Sequence, residues 1–271
     1  IIEVLFMFPC TPLVVALTEK IIPGEDQKVH HNELQYITEI SLKSPATMIP
    51  QAKNELKRMA DMAQENLDRS IKGFLNQSDE YLNKIYHREE DINNVSHAIT
   101  DYLVKSNQLS LPLADQQILG SMFYVVNDIE RIGDHAENFA DYTKTELKHN
   151  TGLTGDAKEE IKKMYEAVSK LLKLSLESFM AQDGVNTQED KLAEIAALEA
   201  SIDKMERRYQ KHHIKRLAKG DCEPRAGLLF SDMLSELERI ADHSVNIAYS
   251  MSDEDEDEML AAENEALATN N

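Results

Sequence analysis

Eleven residues of this chain are written twice. Asp128-Ile129-Glu130-Arg131-Ile132-Gly133-Asp134-His135-Ala136-Glu137-Asn138 returns 108 positions later as Glu236-Leu237-Glu238-Arg239-Ile240-Ala241-Asp242-His243-Ser244-Val245-Asn246, with Glu, Arg, Ile, Asp, His and Asn in register. On a helix, residues four apart lie along one face. Glu130, Asp134 and Asn138 therefore read as one polar stripe and Glu238, Asp242 and Asn246 as its twin, while Ile129, Ile132, Gly133, Ala136 and Ala140 form the packing side. Carboxylates one turn apart repel by about 0.2–0.5 kcal/mol when exposed. A cation would offset that repulsion in both copies, although Arg131 or Arg239 could also neutralise the stripe from its flank.

The duplication extends beyond the motif. From 51 to 77, Ala52, Leu56, Met59, Ala63, Leu67, Ile71 and Phe74 keep the helical period, and the pattern recurs 105 residues on in Ala157, Ile161, Met164, Val168, Leu172, Leu176 and Phe179. Even Ser70 meets Ser175 and Gln77 meets Gln182. A second helical stretch over 80–105 matches 190–219 at a shift near 110, placing Glu89 on Glu199, Ile92 on Ile202 and Asn93 on Asp203. The motif helices follow, over 112–146 and 226–251. Shifts of 105, 110 and 108 differ only where loops tolerate insertion. The expected fold is all-α: two tandem three-helix bundles, repeat 1 at 51–147 and repeat 2 at 156–251, with short connections making neighbouring helices antiparallel. Lys148 to Gly155 joins the halves, and Thr154 to Asp156 offer caps for the next helix.

Outside the repeats, Val4 to Leu17 carries no charge, is shorter than the roughly 20 apolar residues of a complete span, and holds Pro9 and Pro12. It reads as the end of a transmembrane helix within an apolar segment at 1–22, rather than as a signal peptide, because no basic region precedes it. Residues 23–50 read as a linker in which Leu34, Ile37 and Ile40 dock on the bundle, with Ser44-Pro45 and Pro50 punctuating the first long helix. The tail at 252–271 holds eight acids and no Lys or Arg, and a like-charge block of this kind is expected to be disordered.

Composition narrows the function. The net charge is −20, of which the tail supplies eight, so a nucleic-acid footprint is excluded. Two cysteines, Cys10 and Cys222, make neither a disulfide framework nor a cysteine metal site, which suits a reducing, cytoplasmic setting. No Gly-rich phosphate loop, paired nucleophile and base, or CxxC occurs, so no enzyme is expected. A ferritin-like carboxylate oxidase needs Glu-x-x-His on its helices. Here each His directly follows the Asp, about 100° round the helix, and cannot join the carboxylates that way. His212-His213 sits in a basic helix end and His30-His31 in the linker, and both read as solvated.

The duplicated motif, the double three-helix repeat and the repeat length resemble the PhoU family of phosphate-homeostasis regulators over about residues 50–250. Its signature is a twice-occurring Glu/Asp-x-x-x-Asp on the third helix of each bundle, here Glu130 with Asp134 and Glu238 with Asp242. The apolar segment ending in Lys20-Ile21-Ile22-Pro23-Gly24 ahead of a linker looks like the junction at which sodium-dependent phosphate cotransporters pass from their last membrane helix into a C-terminal PhoU-like domain. The resemblance implies a cytoplasmic regulatory domain of a sodium/phosphate symporter at the cell membrane, with the transporter portion of the same polypeptide as its partner; a homo-oligomer is among the expected assemblies. The alternative is a stand-alone PhoU regulator of a phosphate ABC transporter and its sensor kinase.

The resemblance also implies a metal on the acidic stripes. One helix supplies too few oxygens to overcome ion dehydration, so Glu89 with Asn93, and Glu199 with Asp203, are expected to complete the two sites from the second helix of each repeat. Without His or Cys in the set, Mg²⁺, Mn²⁺ or iron is favoured over tetrahedral zinc. Asp203 in place of Asn93 makes the second site the more anionic and the expected tighter binder.

Overall fold

The computed structural model describes residues 34–38, 45–149, 152–181 and 186–250. Six helices run in chain order: α1 (Pro45–Leu75), α2 (Leu82–Asn107), α3 (Leu113–His149), α4 (Gly155–Met180), α5 (Asn186–Lys219) and α6 (Pro224–Tyr249), with no strand among the described residues. The all-α duplication expected from the sequence is what forms: α1, α2 and α3 pack as one bundle, α4, α5 and α6 as its twin, and α3 meets α6 while α1 meets α4.

The helices form where the apolar period is longest. Leu56, Met59, Leu67 and Phe74 of α1 are buried, as are Ile161, Met164, Leu172 and Phe179 of α4. Full burial of each large side chain contributes about 1.5–3 kcal/mol. Ser70 and Ser175 are also buried, and Ser70 returns its hydroxyl to the Asn66 carbonyl. At the second repeat's entrance the Thr154 hydroxyl accepts from the Ala157 amide at 3.3 Å, the N-cap expected there. At the end of α5, Gly220 takes a left-handed φ of 75°, and its amide and that of Asp221 reach back to the Leu217 and Arg216 carbonyls, closing the helix.

The repeats are related by a twofold axis across the helices. Gln64 donates to the hydroxyl of Ser169, its own counterpart at shift 105, at 3.3 Å. The His135 and His243 rings, counterparts at shift 108, lie 5.5 Å apart. Residues that touch their own twins mark the axis, and both α1/α4 and α3/α6 cross it antiparallel.

Several boundaries differ from expectation. The first helix begins at Pro45, so 45–50 is helix rather than linker, and Pro50 lies inside it. Pro45 takes the first helical position, where a missing N–H costs nothing, and Pro50 falls so early that few intrahelical bonds are lost. Upstream, Ile37 is buried and Leu34 partly buried against the bundle, as the linker pattern suggested. They are held by Glu55, whose Oε2 accepts the Gln35 and Tyr36 amides at 2.8 and 2.7 Å. α5 begins at Asn186 and α6 ends at Tyr249. No helix among the described residues is long and apolar enough to cross a membrane. The apolar segment 1–22, Ile40, His30-His31 and the acidic tail lie outside the described residues.

Candidate acidic metal sites and the seam between the repeats

Each motif helix lies against the second helix of its own repeat, and the carboxylates expected from the sequence gather there. In repeat 1, Glu89 of α2 is only 3 % exposed, and neither of its carboxylate oxygens has a hydrogen-bond partner. Its pKa is pushed up to about 8, first by burial, then by the charges of Asp134, Glu137 and Glu130 on α3. Glu130 is raised by burial and by Asp134, against Arg131, His97 and His243, which pull it down. Asn93 is half-buried one turn beyond Glu89, and His97 one turn further. Arg131, largely exposed, stands 4.0 Å from Glu130 and 3.5 Å from Asp134, so part of the stripe is neutralised from its flank.

In repeat 2, Glu199, Asp203, Glu238 and Asp242 form the matching cluster. Burial and then Asp203 raise Asp242; burial followed by Asp242, Glu206 and Asp203 raises Glu238; burial followed by Asp203 and Asp242 raises Glu199. Two differences separate the clusters. Arg207, at the place of His97, pairs with Asp203 at 2.9 Å. Glu199 is half-exposed where Glu89 is buried. A Cβ on Gly133 would stand 2.7 Å from Glu89 Oε2, so glycine opens the space into which that carboxylate tucks, and Ala241 fills the same place in repeat 2.

Among the described residues no three His, Cys, Asp or Glu side chains stand in a ready coordination geometry. The donor set is all oxygen, and the orphaned Glu89 carboxylate is the kind of buried group that an ion would satisfy. Sequence reasoning missed Glu137, His97 and Glu206; Glu137 has Val245 as its counterpart, so the repeat comparison gave it no support.

The two asparagines of the motif leave the stripe. Asn138 donates to Glu236 at 3.2 Å, and Asn246 to Asp128 at 3.4 Å, each in the other repeat. The histidines do the same: His135 Nδ1 contacts Glu236, and His243 Nδ1 lies 2.8 Å from Asp128. Tyr142 adds a third donor to Glu236 at 3.2 Å. Burial alone would raise Glu236; the contact with His135 and the hydrogen bonds of Asn138 and Tyr142 outweigh it and hold the carboxyl below its ordinary range. An ionised carboxylate only accepts, so His135 Nδ1 carries the proton in this contact. Arg239 turns to Glu236, at 3.7 Å, rather than to its own stripe. The sequence does hold a signal for this seam, an acid seven residues ahead of the histidine in both copies.

Of the pair His212-His213, only His213 is withdrawn from solvent; His212 is partly exposed but paired. His212 Nδ1 is 2.6 Å from Glu160, which also meets Arg216 at 2.8 Å. His213 is buried against the Phe230 ring under Gly227, and burial followed by the Arg216 charge lowers its basicity.

The geometry defines a duplicated helical domain with two carboxylate clusters flanking a histidine–carboxylate seam. The PhoU domain profile matches residues 56–143 and 161–251. The chain belongs to the PhoU domain family. It is 20 % identical over 196 residues, 72 % of this chain and 82 % of the relative, to phosphate-specific transport system accessory protein PhoU homolog 1 of Thermotoga maritima. A homolog of the same accessory protein from Clostridium acetobutylicum is 22 % identical over 199 residues, 73 % of this chain and 87 % of the relative. Among solved structures, PhoU from Pseudomonas aeruginosa superposes with a TM-score of 0.66 at 20 % identity, over 74 % of this chain and 93 % of the other. The phosphate transport system regulatory protein PhoU from Streptococcus pneumoniae gives 0.67 at 20 % identity, over 77 % and 97 %.

Proposed function

We propose that this chain regulates phosphate transport as a PhoU-type accessory protein, acting by contact rather than by catalysis, and that its two acidic clusters bind hard or borderline cations. The observation that carries the metal part is Glu89, buried with both oxygens unpartnered among three further carboxylates. Glu89, Glu130 and Asp134, with Asn93 beside them, would hold the ion in repeat 1; Glu199, Asp203, Glu238 and Asp242 would hold it in repeat 2. The ion supplies positive charge that lets the carboxylates ionise together. Formal charge favoured the second site as the tighter one. The geometry favours the first, because Arg207 already occupies Asp203 and Glu199 is open to water.

The regulatory reading is supported by the phosphate-transport accessory proteins that the chain resembles along most of their length. It is tested in a cell lacking its own PhoU by measuring phosphate uptake under phosphate-replete conditions. Expression of this chain should restore restraint of uptake; no effect from a well-expressed protein sinks the reading. The metal reading is tested separately by thermal melts in EDTA and then with added Mn²⁺, Fe²⁺ or Mg²⁺, beside Asp134→Asn and Asp242→Asn. Binding to the folded state raises the melting temperature by mass action. If no ion shifts the wild type, and both variants melt at or above it, the clusters are solvated faces.

A second reading rests on Val4 to Leu17: the domain is the cytoplasmic end of a membrane-bound sodium/phosphate symporter. Fractionation of cells expressing this chain, with and without residues 1–24, separates the two. Recovery of both forms in the soluble fraction rejects the symporter reading for this segment.

A further inference from the structure

The buried acids of the two first helices, Glu55 and Glu160, are counterparts at shift 105, yet they are used differently. Glu55 is fully buried and receives the backbone amides of the strap 34–38, while Ile37 of that strap enters the core. Among the described residues repeat 2 shows no such strap, and only residues 150–154 connect its first helix to α3. At Glu160 there is instead a cavity of about 400 Å³ between the start of α4 and the end of α5. Repeat 1 thus shows what closes this groove: an extended run of chain.

The lining of the cavity indicates what kind of chain would suit it. Where repeat 1 has Ala98, Tyr102 and Ser106, repeat 2 has Arg208, His212 and Arg216, joined by Lys163, Lys215 and Lys219. Glu160 is engaged by His212 and Arg216, and Glu159 by Lys163 at 3.3 Å. Asp156 and Asp221 remain against Arg208, Lys215 and Lys219. The uncommitted balance is positive, in a chain whose net charge is −20.

We propose that this cavity is the docking site of the chain's own acidic tail, residues 252–271. Its charge is complementary: acids at 253–258, then Glu263 and Glu265, with no Lys or Arg. The reach is sufficient. Tyr249 at the end of α6 donates to the Leu192 carbonyl near the start of α5. Arg208 and Lys219 lie about 24 and about 40 Å further along that helix at 1.5 Å per residue. At about 3.3 Å per extended residue, the acids at 255–258 approach Arg208, and Glu263 and Glu265 pass Lys219. The tail in repeat 2 would then do what the strap does in repeat 1.

The test is carboxylate–amine zero-length cross-linking of the full chain, mapped by mass spectrometry, on a mixture of isotopically light and heavy protein. Tail acids should join Lys215 and Lys219 within one chain severalfold more than they join Lys105 or Lys144, which are also exposed. Lys191, near the root of the tail, gives the baseline for simple tethering. Arg208→Glu, which leaves those lysines in place, should lower the preferred cross-links severalfold, and so should Glu263→Gln with Glu265→Gln, which leaves the helices untouched. Cross-links spread evenly over exposed lysines would overturn the proposal. So would cross-links found only between light and heavy copies, or a pattern indifferent to both variants.

Discussion

Gly133 and Glu89 share a space that only one of them can fill: a Cβ on residue 133 would stand 2.7 Å from Glu89 Oε2 and 3.3 Å from Oε1. Glycine inside a helix ordinarily costs about 0.5–1 kcal/mol relative to alanine. Repeat 2, with Ala241 there, shows the cheaper arrangement, in which the matching Glu199 faces water. Gly133→Ala should therefore expel the Glu89 carboxylate rather than unfold the bundle. The expected result is an unchanged or slightly raised melting temperature in EDTA, with the metal-induced rise reduced or lost. A Gly133→Ala protein that keeps the full metal response would show that the pocket under residue 133 plays no part in binding.

Glu89 also sets a pH slope. Its pKa is pushed up to about 8 in the fold, from about 4.5 in the open chain. Between these values the folded state keeps a proton that the unfolded state releases, so the stability contributed by this group falls as pH rises through that window and is flat below and above it. Denaturant midpoints measured in EDTA from pH 4.5 to 9 should decline across the window, and Glu89→Gln, which cannot ionise, should remove that part of the decline. Parallel curves for wild type and variant would mean that Glu89 titrates normally.

The opposite slope belongs to the seam. Glu236 is held below its ordinary range, so its contribution is present above about pH 4.5 and is lost as pH falls through the depressed folded value. Glu236→Ala strands buried His135 and removes the acceptor of Asn138 and Tyr142, a loss of about 3 kcal/mol for a broken buried pair. His243→Ala, at the more exposed twin contact with Asp128, should cost only about 1 kcal/mol. Urea unfolding at neutral pH measures both, and equal losses would contradict the burial difference between the two contacts.

The duplication, the six helices and the two acidic clusters were legible because each is written in local spacing: a 3.6-residue apolar period, acids one turn apart, and both copied at a nearly fixed shift. What was not legible depends on partners far away in the chain. Glu236 and His135 are 101 residues apart, and nothing in the spacing of one motif says that its first acid answers the histidine of the other. Position 137 misled for a related reason: Glu137 loads the first cluster while Val245 cannot load the second, so the comparison of copies hid it. His213 looked solvated because its neighbours are basic. Phe230 and Gly227, which bury it, lie on the next helix.

The strap gives the last prediction. Glu55 is fully buried; two amides of the strap donate to one of its oxygens, and Arg58, one turn further along the same helix, meets the other. A carboxylate that accepts two N–H groups and an arginine is well satisfied. Removing the carboxylate therefore takes one partner from Arg58 and frees the Gln35 and Tyr36 amides together, at a cost of about 1–3 kcal/mol for the lost hydrogen bonds. Ile37 alone then holds the strap, at about 1.5–3 kcal/mol of apolar burial. Glu55→Ala should show hydrogen exchange at residues 35 and 36 accelerated well before α1 loses protection, and protease cleavage just ahead of Pro45 while the six helices stay intact. Ile37→Ala combined with Glu55→Ala should add little further exchange at those amides. If Glu55→Ala leaves them as slow as in the wild type, the strap is held by its apolar contacts and Glu55 is only a buried partner of Arg58.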